Sequence, residues 1–160
     1  MSENFRDARR QLECLLGAGT IGDISLPYGW IGLFEAFAIY MKALSQEVRS
    51  GVSIQQIKEK YGTLRIYCYA PDEVFDLVGA AELASNAVCG ICGHAGCMRE
   101  SGWIGVRCDI HAQDQPGRSR RVAASTRQTE LAVQMLRDVW GQELGREGLE
   151  AIARIHIVPI

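Results

Sequence analysis

Histidine is scarce in this chain. His94, His111 and His156 are its three copies, and none precedes the first cysteine pair. That excludes a zinc deaminase, whose C-x2-C needs an upstream H-x-E to bind metal and shuttle protons. Neither a P-loop nor a G-x-S-x-G occurs, so the Walker-type phosphate cradle and the hydrolase nucleophile elbow are missing. Long apolar runs are missing too. The richest, Ile31 to Leu44, is interrupted by Glu35 and Lys42, so no membrane span is expected. The opening Met1-Ser2-Glu3-Asn4-Phe5-Arg6-Asp7 is polar and mixed in charge, with no apolar segment behind it. We therefore expect a cytoplasmic protein. Excess positive charge is absent as well. A formal charge of -2 and a pI near 5.9 argue against a strongly basic nucleic-acid binder.

What is present is an ordinary globular composition, 48% hydrophobic and 22% charged, over 160 residues. This fits one domain. Its charge is uneven. Arg99, Arg107, Arg118, Arg120, Arg121 and Arg127 share their stretch with only Glu100, Asp109 and Asp114.

The central feature is Cys89-Gly90-Ile91-Cys92-Gly93-His94, answered by Cys108-Asp109-Ile110-His111. A C-x2-C pair followed by a C-x2-H pair supplies four ligands for one tetrahedral ion, with zinc the default. Cys89, Cys92, Cys108 and His111 are the predicted ligands, with Cys97 and His94 as competitors inside the loop. A closed four-ligand site leaves no place for water or substrate, so the ion is expected to be structural. His111 is thereby committed, which leaves an HNH-type nuclease without its catalytic histidine. A thioredoxin-type pair at Cys89 and Cys92 would leave Cys108 and His111 unexplained. In a reducing compartment the remaining cysteines, Cys14 and Cys68, read as core thiols. His156 reads as a strand side chain.

Periodicity places the elements. Phe5 to Leu16 is an amphipathic helix, ended by Gly17, Gly19 and Gly22, which open a loop. Trp30 to Arg49 is a long helix, with Trp30, Leu33, Phe34, Phe37, Met41, Leu44 and Val48 on its core face. Val52 to Lys60 and Leu64 to Ala70 are strands of a hairpin turned at Tyr61-Gly62-Thr63. Asp72 to Asn86 is helical and leads into Cys89. A small hairpin is expected between Cys92 and Cys108, using Trp103-Ile104-Gly105-Val106. A helical first turn should carry Cys108 and His111, giving a treble-clef-like lobe. Ser125 and Gln128 form a capping box for a helix to about Leu144. Glu147 to Ala153 adds helical turns, and Ile155 to Val158 an edge strand closed by Pro159.

The expected fold is α+β. Helices pack on a small antiparallel hairpin or sheet, with the zinc lobe attached. Within one domain over 1–160, the helical and hairpin core spans 1–87 and the zinc lobe 88–115. A C-terminal helix and strand span 116–160.

Several of these segments occur together in order. Gly29-Trp30, then Gln56-Ile57-Lys58-Glu59-Lys60-Tyr61-Gly62-Thr63-Leu64-Arg65-Ile66-Tyr67, then C-x2-C-G, Trp103 and Cys108-Asp109-x-His111-Ala112 stand between residues 29 and 112. The chain thereby resembles a family of small bacterial and phage-borne proteins with the pattern GW, KEKFGGLRFY, CxxCG, W and CDxHA. Tyr61 and Thr63 stand where that family usually has Phe and Gly. The resemblance implies a zinc-bearing α+β fold and no established activity.

Lys58, Lys60 and Arg65 around the hairpin define a candidate anion- or partner-binding face. A solvated strand face is the plainer account of the same charges. Arg118, Arg120 and Arg121 form a second basic candidate. The function expected from all this is a non-enzymatic interaction protein with a protein partner. Its most concrete version is an immunity protein neutralising a cognate bacterial toxin through an acidic surface outside the zinc lobe. The alternative is a nucleic-acid-binding regulator that uses the arginine-rich zinc lobe.

Overall fold

The computed structural model describes residues 3–17, 19–100, 102–141 and 143–160. The first two residues of the polar N-terminal stretch lie outside them. The architecture is α+β, with three small sheets and six helices among the described residues.

The first helix, α1 (Glu3–Leu16), buries Phe5, Ala8 and Leu12 against the next helix, where Phe5 stacks on Phe34 at 5.6 Å between ring centroids. The glycine-rich stretch after it is not wholly loop. Ile21–Ser25 forms a strand, β1, parallel to a later strand, with Ile21 opposite Ile54. Five residues with mixed burial carry too weak a period to announce a strand, and only the distant partner defines it.

The expected long helix is two. Helix α2 (Ile31–Ala43) stops at Leu44, whose ψ of 155° is extended. Ser45 then caps a short α3 (Gln46–Ser50) by accepting from the Val48 N–H at 3.2 Å. Arg49 Nη1 donates to the Lys42 and Leu44 carbonyls at 2.7 and 2.8 Å, which satisfies the open end of α2. Apolar spacing runs smoothly across this break, so periodicity alone joined the two pieces.

Strands β2 (Ser53–Lys60) and β3 (Thr63–Tyr69) form the expected hairpin, with Lys60 opposite Thr63. Both turn residues have positive φ, 51° at Tyr61 and 83° at Gly62, as a two-residue hairpin loop demands. The sheet order is β1-β2-β3, so the sheet is mixed and not purely antiparallel. Its inner face carries Ile54, Ile57, Leu64 and Ile66 into the core. The outer edge of β3 is closed by side chains of α4 (Asp72–Ala84) and the turn after it. Glu82 accepts from the Ile66 N–H and Ser85 from the Leu64 N–H, each at 2.9 Å. An edge strand with its amides so occupied offers no template for further pairing.

Beyond the cysteine segment, strand β4 (Cys97–Arg99) pairs antiparallel with β5 (Gly105–Arg107). Trp103 and Ile104 fall in the connection and not in the strand. The basic run contributes a strand, β6 (Arg120–Ala124). Helix α5 (Thr126–Trp140) starts at the predicted capping box and ends at Gly141, φ 95°, short of Leu144. Helix α6 (Gly145–Ala153) then leads to β7 (Ile155–Pro159), which pairs parallel with β6 through its last residue. Ala124, Ala132, Met135, Leu136 and Ala151 join the same core cluster as α2 and α4. Burying each large side chain of that cluster contributes about 1.5–3 kcal/mol. No helix among the described residues is long and apolar enough to cross a membrane.

Candidate metal centre

Helix α4 and the turn over Ser85–Ala87 deliver Cys89 into the interior, where it is fully buried. The chain then reverses tightly. Gly93 N–H donates to the Cys89 carbonyl at 2.9 Å, and Cys89 N–H to the His94 carbonyl at 2.8 Å. Gly93 has φ 81°, so the reversal needs a residue without a Cβ. This knuckle is seated by the core beneath it. Gly29 N–H donates to the Gly90 carbonyl at 2.9 Å. A Cβ on Gly29 would lie 2.1 Å from the Cys89 oxygen and 2.7 Å from Gly90 C and Gly93 N. Two indoles brace it. Trp30 Nε1 donates to the Val88 carbonyl and Trp140 Nε1 to the Gly93 carbonyl, each at 2.9 Å.

The second pair arrives from β5. Gly90 N–H donates to the Val106 carbonyl at 3.0 Å, which sets β5 against the knuckle. Cys108 and His111 then lie on a hydrogen-bonded turn, with His111 N–H donating to the Cys108 carbonyl at 3.1 Å. The expected helical start does not propagate. Gln113 and Asp114 have φ of 50° and 60°, a left-handed step that ends any α-helix. Arg99 secures this turn from β4. Its Nη1 donates to the Gln115 carbonyl at 2.7 Å and its Nη2 to Asp109 Oδ1 at 2.8 Å.

The ligand atoms of Cys89, Cys92, Cys108 and His111 all lie within 4.8 Å of one another. His111 Nδ1 is 3.3 Å from Cys108 Sγ and 3.8 Å from Cys89 Sγ, and Cys92 Sγ is 3.7 Å from Cys108 Sγ. Three sulfurs and one imidazole nitrogen at this spacing can hold a metal ion. Among the described residues, Cys97 and His94 belong to no such group. Cys97 is buried on β4, against the backbone of Gly117. His94 is exposed, and its Nδ1 lies 3.5 Å from Cys92 Sγ.

The site favours thiolate unevenly. Burial pushes Cys89 up, but backbone N–H groups of Cys108, Cys92 and Ile91 pull it down to about 6. Cys92 is pushed up, by burial first and then by sharing hydrogen bonds with the thiols of Cys89 and Cys108. Three clustered thiols without an ion cannot all ionise together; a cation changes that balance.

The other sequence-predicted residues separate. Lys58 and Lys60 lie over the rings of Tyr67 and Tyr61 at 5.4 and 5.7 Å. Arg65 instead meets Arg120 and Arg121 along one cleft. Arg118 is exposed outside it, its N–H donating to the Met98 carbonyl. Arg99, counted with the basic patch, is buried and committed to the turn that carries Cys108 and His111. Cys14, read as a core thiol, is exposed, and Cys68 is half-buried. Sequence reasoning missed Trp140 as a brace. No signal in its helical spacing distinguishes a core indole from one aimed at a carbonyl.

No protein-family model, curated protein or solved structure matches this chain.

Proposed function

We propose that this is a non-enzymatic binding protein with a structural zinc ion in a treble-clef-like lobe, akin to the small bacterial and phage-borne family whose motifs it shares. Zinc suits three thiolates and one imidazole, a donor set that soft-metal chemistry and tetrahedral geometry favour. All four positions come from protein, so the ion joins segments and does not meet substrate. The observation that carries the binding role is the surface of the lobe. Ile91, Trp103, Ile104 and Ile110 are exposed there, Ile110 at 85%. Large apolar side chains displayed on a small rigid lobe suit contact with another protein. This moves the expected contact from the acidic core surface to the lobe itself. The most concrete version is a cytoplasmic immunity protein held against a toxin. The test is co-purification with products of neighbouring genes, using wild type and a Trp103→Asp, Ile110→Asp variant. A partner held by wild type and released by the variant supports the proposal; no partner, or one indifferent to the variant, removes it.

A nucleic-acid-binding regulator is the second reading, favoured by a different observation. Arg65, Tyr67 and Tyr69 alternate with core residues along β3, and Lys58 stands opposite Arg65 on β2. Tyr69 is exposed at 74%. Cations interleaved with aromatics on an open sheet face suit stacking of unpaired bases. Gel shifts with a single-stranded oligonucleotide across a salt series test it, and absence of binding at about 50 mM salt removes it.

A further inference from the structure

A cleft of about 400 Å³ lies where β3, the end of α4 and β6 meet. Arg65 enters from β3, and Arg120 and Arg121 from β6. Each inner guanidinium is fixed by neutral acceptors. Arg65 Nη1 donates to Thr63 Oγ1 and to the Leu64 carbonyl, both at 2.8 Å. Arg120 Nη1 donates to the Tyr61 carbonyl at 3.0 Å and faces Met98 Sδ at 3.8 Å. These contacts orient the groups without neutralising them. None of the three arginines forms an ion pair among the described residues.

The acidic groups nearby do not fill that role. Glu82, in the cleft wall, directs Oε1 to the Ile66 N–H, and its charge acts on Arg65 without forming an ion pair. Glu100 acts on Arg120 only from beyond ion-pair distance. Burial and the charge of Arg65 both weaken proton binding by Arg120. Like charges gathered in a half-buried cleft are unfavourable without a counter-charge, and oriented guanidinium forks are the groups that grip a phosphate oxygen pair. The wall holds one more unused group. Asn86 Nδ2 donates to the Glu82 and Leu83 carbonyls at 3.1 Å, and its buried Oδ1 has no donor among the described residues.

We infer that the Arg65–Arg120–Arg121 cleft binds a phosphate group, supplied either by a small phosphomonoester or by a nucleic-acid backbone. The inference depends on neither the metal nor the apolar surface of the lobe.

Calorimetric titration at fixed low ionic strength tests it, with inorganic phosphate, glycerol phosphate and an oligothymidylate lacking terminal phosphate as separate probes. Wild type is expected to bind at least one probe at a single saturable site. Arg120→Gln and Arg121→Gln should each weaken that binding about tenfold, the loss of one charge-assisted contact. Arg118→Gln, outside the cleft, should leave it unchanged. Arg121 is exposed, so Arg121→Gln keeps the test alive should Arg120→Gln fail to fold. Binding of glycerol phosphate alone assigns the small-molecule source, and binding of the oligonucleotide displaced by phosphate assigns the backbone source. No saturable binding of any probe, or equal affinity in Arg118→Gln, Arg121→Gln and wild type, overturns the inference.

Discussion

The indole Nε1 of Trp30 donates to the carbonyl of Val88 at 2.9 Å, one residue before Cys89, the first member of the candidate metal cluster. Both residues are buried, so the bond ties the start of α2 directly to the entry of the knuckle. Gly29 and Trp30 thus act as one seat, the glycine admitting the knuckle backbone and the indole holding it.

Trp30→Phe keeps most of the ring volume and removes the donor. A buried carbonyl left without a partner costs about 1–3 kcal/mol, and lost packing adds to that. We expect a lower urea midpoint and faster release of metal to a chelator. An unchanged midpoint would show that water or another donor replaces the indole.

Gly29→Ala places a methyl against backbone atoms at 2.1 and 2.7 Å, none of which can swing aside. Overpacking of this kind costs typically about 1–3 kcal/mol, and more where backbone must move. Purified Gly29→Ala should hold metal below stoichiometry and melt earlier than wild type. Full occupancy with a wild-type melting curve would contradict the close approach.

Removing the ion should unfold the lobe first, because ligation free energy is folding free energy in such sites. Cys92→Ser is expected to lose tight metal by elemental analysis, whereas Cys68→Ser, away from the cluster, should keep it. Acidification should release the ion, since protons compete for the thiolates. Equal metal content in both variants would reassign the ligand set.

Glu82 gives a pH-dependent outcome whose sign is set by burial. Burial raises its pKa above the ordinary 4.5, against the Ile66 N–H and Arg65, which lower it. A carboxyl whose folded pKa is raised contributes stability below its unfolded pKa and loses it as pH rises through the folded value. Glu82→Gln keeps an oxygen for the Ile66 N–H and has no such loss. The variant should melt higher than wild type at neutral pH, and the gap should close as pH falls through the raised folded pKa towards 4.5. A gap independent of pH would mean that Glu82 stays ionised without cost.

Much of this molecule follows from short-range pattern. The spacing of Cys89, Cys92, Cys108 and His111, the capping box at Ser125 and Gln128, and the period-two run Leu64–Cys68 are properties of neighbours along the chain. Local backbone geometry acts on such neighbours without reference to the rest, so they could be read directly. The break at Leu44 was not legible, because Ser45 and Arg49 end the helix through hydrogen bonds that compete with a continuous apolar stripe.

What only the folded chain decides is which distant segments meet. Ile21–Ser25 and Arg120–Ala124 become strands because parallel partners, set across helical crossovers, satisfy their backbones. Parallel pairing has no turn signature of its own, so nothing local marks it. The same holds for the three arginines of the cleft. Their charges were evident in the sequence, but Arg65 shares a cleft with Arg120 and Arg121 only because β6 lies against the hairpin turn, where Arg120 donates to the Tyr61 carbonyl. Residue identity set the chemistry at hand, and the long-range contacts determined which of those groups came to share one space.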